Sequence, residues 1–127
     1  MAFNVLIVDD SSVMRSIILK CLRMSGIPLG EVYHASNGKE GLEALNQHWI
    51  DLVFADIIMP IMNGEEMIDC IRQDPHISNI PIIVISTEGG ETRIQRLKSK
   101  GASFIHKPFS PTLVRDTIKN LIGTDMM

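Results

Sequence analysis

The chain has 127 residues, 45% of them hydrophobic and 21% charged, which fits one globular domain and neither a disordered segment nor a membrane-embedded one. Twelve Lys plus Arg against fifteen Asp plus Glu leave a net charge of −3, which argues against polyanion binding through net charge, so no DNA binding is expected. Two cysteines are too few for a disulfide scaffold, no CxxC or Cys/His pattern suggests zinc, and no apolar run approaches the ~20 residues of a membrane span.

In chain order, Val5–Val8 is a nearly continuous apolar run, as expected of a strand buried on both faces of a parallel sheet. It leads straight into Asp9-Asp10, without the cationic start of a signal peptide. Met14, Ile17, Ile18, Cys21 and Leu22 then recur at i, i+3, i+4, a helix that Ser11 or Ser12 can cap and that Gly26 and Pro28 end. Cys21 falls in the apolar stripe and reads as a core thiol. Glu31–Ala35 is the second strand, and Leu42 and Leu45 give a short helix with Trp49 packing at its end. Leu52–Ala55 is the third strand. Met67, Ile68 and Ile71 mark a helix closed by Asp74-Pro75, with Cys70 near the edge of its stripe. Ile82–Ile85 is the fourth strand.

From Glu91 to Lys100 only Ile94 and Leu97 are large and apolar, while Arg93, Arg96, Lys98 and Lys100 are cationic. This helix has a thin anchor and a basic outer surface, the kind of element that shifts at modest cost. Phe104–Ile105 belongs to the fifth strand. Ser110 then caps a helix with Pro111 at its first position, and Leu113, Val114, Thr117, Ile118, Leu121 and Ile122 form its stripe. Met126-Met127 reads as a frayed tail. His34, His48 and His76 share no metal-ligand spacing and read as turn or surface residues.

Five alternations of strand and helix predict a doubly wound α/β fold, a parallel sheet with helices on both faces. Ligands of such sheets bind at the carboxyl ends of the strands. Asp9-Asp10 end the first strand, Asp56 the third and Ser86-Thr87 the fourth, and Lys107-Pro108 follow the fifth. Three converging carboxylates repel one another; either one is pushed to a raised pKa, or a divalent cation lets all three stay ionised. The all-oxygen donor set points to Mg²⁺, or Mn²⁺, rather than zinc. A cation beside a carboxylate, a hydroxyl and a lysine is a set of parts for phosphoryl transfer, with Asp56 attacking and Ser86 and Lys107 holding the phosphoryl oxygens. Taken singly, each of these residues is an ordinary cap or turn residue. Their joint placement at four strand ends sets them apart.

Over roughly residues 3 to 122 the chain resembles response-regulator receiver domains, specifically the stand-alone CheY-like kind. The residues that carry the resemblance are Asp9-Asp10, Asp56-Ile57-Ile58-Met59-Pro60 with Met62-Asn63-Gly64, Ser86, Gly101-Ala102 and Lys107-Pro108-Phe109. The resemblance implies a flavodoxin-like sheet of five strands in the order 2-1-3-4-5 with five helices. It implies that Asp56 accepts a phosphoryl group from a histidine kinase of the CheA type. Asp10, Asp56 and the backbone carbonyl of Ile58 would hold Mg²⁺, with Asp9 acting partly through water. Lys107 would pair with the phosphoryl group, Ser86 would reach toward it, and Phe104 would be the aromatic switch. A cis Lys107-Pro108 bond is also implied.

The chain departs from the family at Ile58, apolar where several relatives carry a polar side chain over the site. Isoleucine cannot orient a hydrolytic water, so the phosphoryl group is expected to be moderately long-lived, with an external phosphatase a possible partner. Glu88 is expected either to position that water or to repel an incoming anion, and Thr87 is expected to narrow access to Asp56. The downstream partner, such as a flagellar motor-switch component, is expected to meet Arg93, Arg96, Lys98, Phe104 and His106; the alternative for the cationic run is a solvated face. Phe104 and His106 share one side of their strand by the period of two.

The expected protein is a single cytoplasmic, monomeric receiver over residues 1–127 with no output domain, catalytic only toward its own phosphorylation and dephosphorylation. A phosphorelay intermediate serving a histidine phosphotransfer protein is an alternative reading. A haloacid-dehalogenase-like phosphatase would need an acid where Ile58 stands, and a receiver fold that only binds would not need the full set of site residues.

Overall fold

The computed structural model describes residues 2–87 and 89–123. Glu88 and the Met126-Met127 tail lie outside the described residues. The elements alternate as β1 (Phe3–Val8), α1 (Ser12–Met24), β2 (Leu29–Ala35), α2 (Gly38–Gln47), β3 (Leu52–Ala55), α3 (Gly64–Gln73), β4 (Ile82–Ser86), α4 (Glu91–Ser99), β5 (Ala102–His106) and α5 (Pro111–Ile122). All strand pairs are parallel, in the order β2-β1-β3-β4-β5. This is the five-stranded, doubly wound receiver topology expected.

The period of two along each strand divides the core into two layers. Leu6, Val8, Val53, Ala55, Ile82 and Val84 face one side, where α2, α3 and α4 bring Leu45, Met67, Ile68, Ile71 and Leu97. Val5, Ile7, Phe54, Ile83, Ile85 and Ile105 face the other, where α1 and α5 bring Ile18, Cys21, Leu22, Val114 and Ile118. β1, β3 and β4 are therefore covered on both faces, which is why they read as unbroken apolar runs.

Four helices start on a side-chain cap. Ser11, Asn37, Asn63 and Ser110 accept from the backbone N–H three residues on, and Asn63 with Glu66 completes a capping box. Helix α4 starts at Gly90 with no side-chain cap, and Leu97 is its one fully buried residue among those described. Burying that leucine contributes about 2 kcal/mol. The thin anchor read from the sequence is present in the fold.

Several local expectations change. Strand β2 begins at Leu29, two residues early, because its first half is an edge with exposed Gly30 and Glu31 and lacks the apolar signal. Ile17 and Leu113 point to solvent instead of closing their stripes. Trp49 does not pack at the end of α2: it is 79% exposed, and its Nε1 donates to Asp51 Oδ1 at 3.0 Å. His34 and His48 are exposed, as read from the sequence: His34 lies within β2, and His48 follows α2 with its ring stacked on Tyr33 at 4.0 Å. Cys21 is buried and Cys70 exposed, both as free thiols. Among the described residues no helix is long and apolar enough to cross a membrane.

Candidate phosphoacceptor site

Strand register sets the site. Val8 lies opposite Ala55 and also opposite Ala35, so β1, β2 and β3 end level with one another. The ladder runs one step past those ends: Asp9 N–H donates to the Ala35 carbonyl and Asp56 N–H to the Val8 carbonyl, both at 3.0 Å. Those bonds fix Asp9 and Asp56 side by side between β1 and β3, where the strand order reverses. On the other side, Ser86 closes β4 opposite His106, and Lys107 N–H donates to the Ser86 carbonyl at 3.1 Å. The Lys107-Pro108 peptide is cis.

At that edge the Asp56 carboxylate is held at both oxygens. Oδ1 accepts from Ile57 N–H at 2.7 Å, and Oδ2 accepts from Lys107 Nζ at 3.1 Å. The same ammonium stands 3.6 Å from Asp9 Oδ2. Asp9 Oδ1 accepts from Ser11 N–H at 2.9 Å, which ties the carboxylate to the start of α1, and Arg15 donates from its guanidinium to the Asp9 carbonyl.

Asp9 is 2% exposed, Asp56 half-buried and Asp10 exposed, and one ligand oxygen from each lies within 4.8 Å of the others. Asp9 Oδ2 is buried without a hydrogen-bond partner. Burial pushes the Asp9 carboxyl above its ordinary value. The Ser11 N–H and Lys107 oppose that push, and the neighbouring Asp56 and Asp10 add to it.

Three carboxylates against one lysine leave two net negative charges at the site when all are ionised. An orphaned buried oxygen, excess negative charge and oxygen-only donors together fit a hard divalent cation. Asp9, Asp10 and Asp56, three of the residues expected from the sequence to hold it, lie together. Ile58 follows with its side chain 56% exposed, offering no polar group over the site.

Ser86 is 1% exposed and buried beside Lys107, and Thr87 is exposed at the mouth. Phe104 is half-buried and its ring meets His106 edge-on at 4.8 Å, on the one side that their spacing predicts. Gly89 lies against that ring, since a Cβ there would stand 2.7 Å from Phe104 Cζ.

The expected cationic partner face is only partly assembled. Arg93 is half-buried, and Arg96 is turned to α3, where its Nε and Nη2 donate to Glu65. That pairing spans 31 residues of sequence and has no local signal. Gly64 was also missed as a site residue in its own right. Its N–H donates to the Ile57 carbonyl at 2.8 Å, and a Cβ on it would collide with the Asp56 carbonyl oxygen. Only glycine lets α3 start so close to the end of β3.

A family model described as the response regulator receiver domain matches residues 5–119. The chain is 37% identical to chemotaxis protein CheY1 of Helicobacter pylori over 96% of its own length and 98% of the relative's. It is 34% identical to the chemotaxis protein CheY homolog of Campylobacter jejuni, over 95% of this chain and 93% of that one. The structure of Vibrio cholerae chemotaxis protein CheY4 superimposes with a TM-score of 0.83 at 29% identity, over 96% of this chain and 100% of the other. With the acidic cluster of Asp9, Asp10 and Asp56 at the carboxyl edge of a 2-1-3-4-5 sheet, these likenesses place the chain in the response regulator receiver domain family.

Proposed function

We propose that this chain is the phospho-accepting receiver of a two-component system of the chemotaxis type. In this reading a CheA-like histidine kinase phosphorylates Asp56, and a downstream partner such as a flagellar motor-switch component reads the result. The observation that carries the proposal is the Asp56 carboxylate, fixed by Ile57 N–H and Lys107 within a cluster of three aspartates. Full-length similarity to the Helicobacter and Campylobacter chemotaxis proteins supports the pathway.

In the transfer step an Asp56 carboxylate oxygen attacks the phosphorus of a phosphohistidine. The O–P bond forms as the P–N bond breaks, and the electron pair stays on the imidazole nitrogen, which takes a proton from water. Asp10, Asp56, the Ile58 carbonyl and, through water, Asp9 would hold Mg²⁺, which when bound supplies positive charge for the phosphoryl oxygens. Lys107 is already on Asp56 and pairs with the incoming group, while Ser86 donates to a phosphoryl oxygen.

Attachment adds charge and strong acceptors beside Ser86, which opens space for Phe104 and biases α4. Chemistry stops at the receiver's own phosphorylation and dephosphorylation, and the output is binding, in the cytoplasm, by a monomer. Ile58 slows hydrolysis and leaves room for an external phosphatase.

One observation favours a phosphorelay role as a second reading. Met14, Ile17, Thr87, Pro108 and Phe109 line a largely apolar groove of about 380 Å³ beside Lys107. A helix of a histidine phosphotransfer protein would bury that surface while presenting its histidine to Asp56.

The test is labelling by acetyl phosphate. Mg²⁺-dependent label on the wild type that disappears in Asp56→Asn is the expected result. Label that survives the substitution overturns the site assignment.

A further inference from the structure

Helix α4 packs chiefly on β5, and its polar side-chain ties run to α3. It has no side-chain cap and a single fully buried residue, Leu97. On α3, Glu65, Asp69 and Arg72 stand at i, i+4 and i+7, one face of that helix, and all three reach α4's carboxyl-terminal end. Glu65 accepts from Arg96 Nη2 at 2.8 Å and from Lys100 Nζ at 3.1 Å. Lys100 Nζ also stands 2.8 Å from Asp69 Oδ1. Arg72 donates to the Lys100 carbonyl at 2.8 Å and to the Gly101 carbonyl at 3.3 Å, and its Nη1 bonds the Ser78 and Ile80 carbonyls at 3.0 and 2.7 Å.

Arg72 is thus a strut between two loops, and Glu65 and Asp69 are ionic ties. The first turn of α3 that carries Glu65 is itself rigid, closed by the Asn63–Glu66 capping box and seated on the Asp56 carbonyl through Gly64. Among the described residues no comparable ion pair or side-chain hydrogen bond holds α4's amino-terminal half, which follows Gly89 and Gly90.

We infer that the Glu65–Asp69–Arg72 stripe of α3 is a latch that pins the carboxyl-terminal half of α4, so that phosphorylation at Asp56 moves chiefly residues 91–94. The latch connects the phosphoacceptor strand to α4 through Gly64 and Glu65, a route separate from Ser86 and Phe104. It also withholds Arg96 and Lys100 from a partner in this state and leaves Arg93 and Lys98 to meet it first. The signalling role of the latch rests on the phospho-switch reading above; the pinning does not.

The test is amide hydrogen exchange along α4 in the full chain, with and without Mg²⁺ and beryllofluoride as the phosphoryl mimic. In the resting protein Glu65→Gln should raise exchange of residues 95–99 by about three- to tenfold. Glu65→Gln and Arg96→Gln together should do little more than either alone, as coupled partners must. With beryllofluoride the wild type should change at 91–94, and Glu65→Gln should extend the change to 95–99. Unaltered exchange at 95–99 in resting Glu65→Gln, additive effects of the two substitutions, or a wild-type response spread evenly along α4 each overturns the latch. A wild type that ignores beryllofluoride throughout overturns the phospho-switch reading and the latch's signalling role with it, while the resting comparison still decides the pinning.

Discussion

Replacing Glu65 by Gln removes a charge from an ion-pair network while keeping the side chain's size, and its cost to stability must depend on pH in a fixed direction. Arg96 first, with Lys100 beside it, pulls the Glu65 carboxyl down from 4.5 to about 2. At about 1.36 kcal/mol per unit, that shift sets a ceiling of about 3 kcal/mol. The Arg96 side chain is 46% exposed, and solvent around the pair screens the contribution to about 1 kcal/mol. Because the folded-state value is depressed, the stabilisation is fully present above about pH 5 and is lost as pH falls through 4.5 toward 2.

Urea unfolding of wild type and Glu65→Gln at pH 7, 5, 4 and 3 measures this. The midpoints should differ by roughly 0.5 M urea at pH 7 and converge toward acid. A gap that stays constant with pH, or widens in acid, refutes the assignment of that energy to the ionised carboxylate.

Three further outcomes follow from single residues. Ile61 is β-branched, has a φ of 68° and is 78% exposed, so Ile61→Asn should relieve backbone strain without losing burial and raise stability by about 1 kcal/mol in the same urea assay. A loss of stability would show that the side chain contributes contacts that outweigh the strain. Ile58→Asn should speed decay of the Asp56 acyl phosphate severalfold by giving the site a group that can orient water; an unchanged lifetime removes Ile58 from control of hydrolysis. Trp49 precedes β3 and lies about 20 Å along the chain from Asp56, exposed to solvent, so its fluorescence should not respond to Mg²⁺ or beryllofluoride. A marked quench would mean that the two ends of the sheet are coupled.

Much of the site was legible because its residues follow strands, and strands buried on both faces announce themselves as apolar runs. Asp9, Asp56, Ser86 and Lys107 could be placed on one edge by counting from Val8, Ala55, Ile85 and Ile105. The thin anchor of α4 could be read from two apolar residues among ten. Tertiary pairings were not legible in the same way. Arg96 read as part of a solvated or partner-binding face because nothing near it in sequence is acidic enough to claim it; Glu65 reaches it only once α3 and α4 lie side by side. Trp49 looked like a packing residue because large aromatics usually are, yet the edge of the domain leaves it in water. The left-handed backbone at Ile61 contradicts the residue's own preference, so no propensity could have found it. Glu88, expected to face the site, lies outside the described residues.

In the proposed reading Asp56, and neither of its two acidic neighbours, is the nucleophile. Asp9 has an oxygen without a hydrogen-bond partner but is buried, and Asp10 is exposed, so both are carboxylates to set against Asp56. Borohydride reduction of the protein after treatment with acetyl phosphate and Mg²⁺ converts an acyl phosphate to an alcohol at the residue that carried it, and peptide mass spectrometry reads the position. Reduction is expected at Asp56 alone, abolished when Mg²⁺ is withheld. Reduction at Asp9 or Asp10, or at no aspartate in a protein that has taken up label, would contradict it.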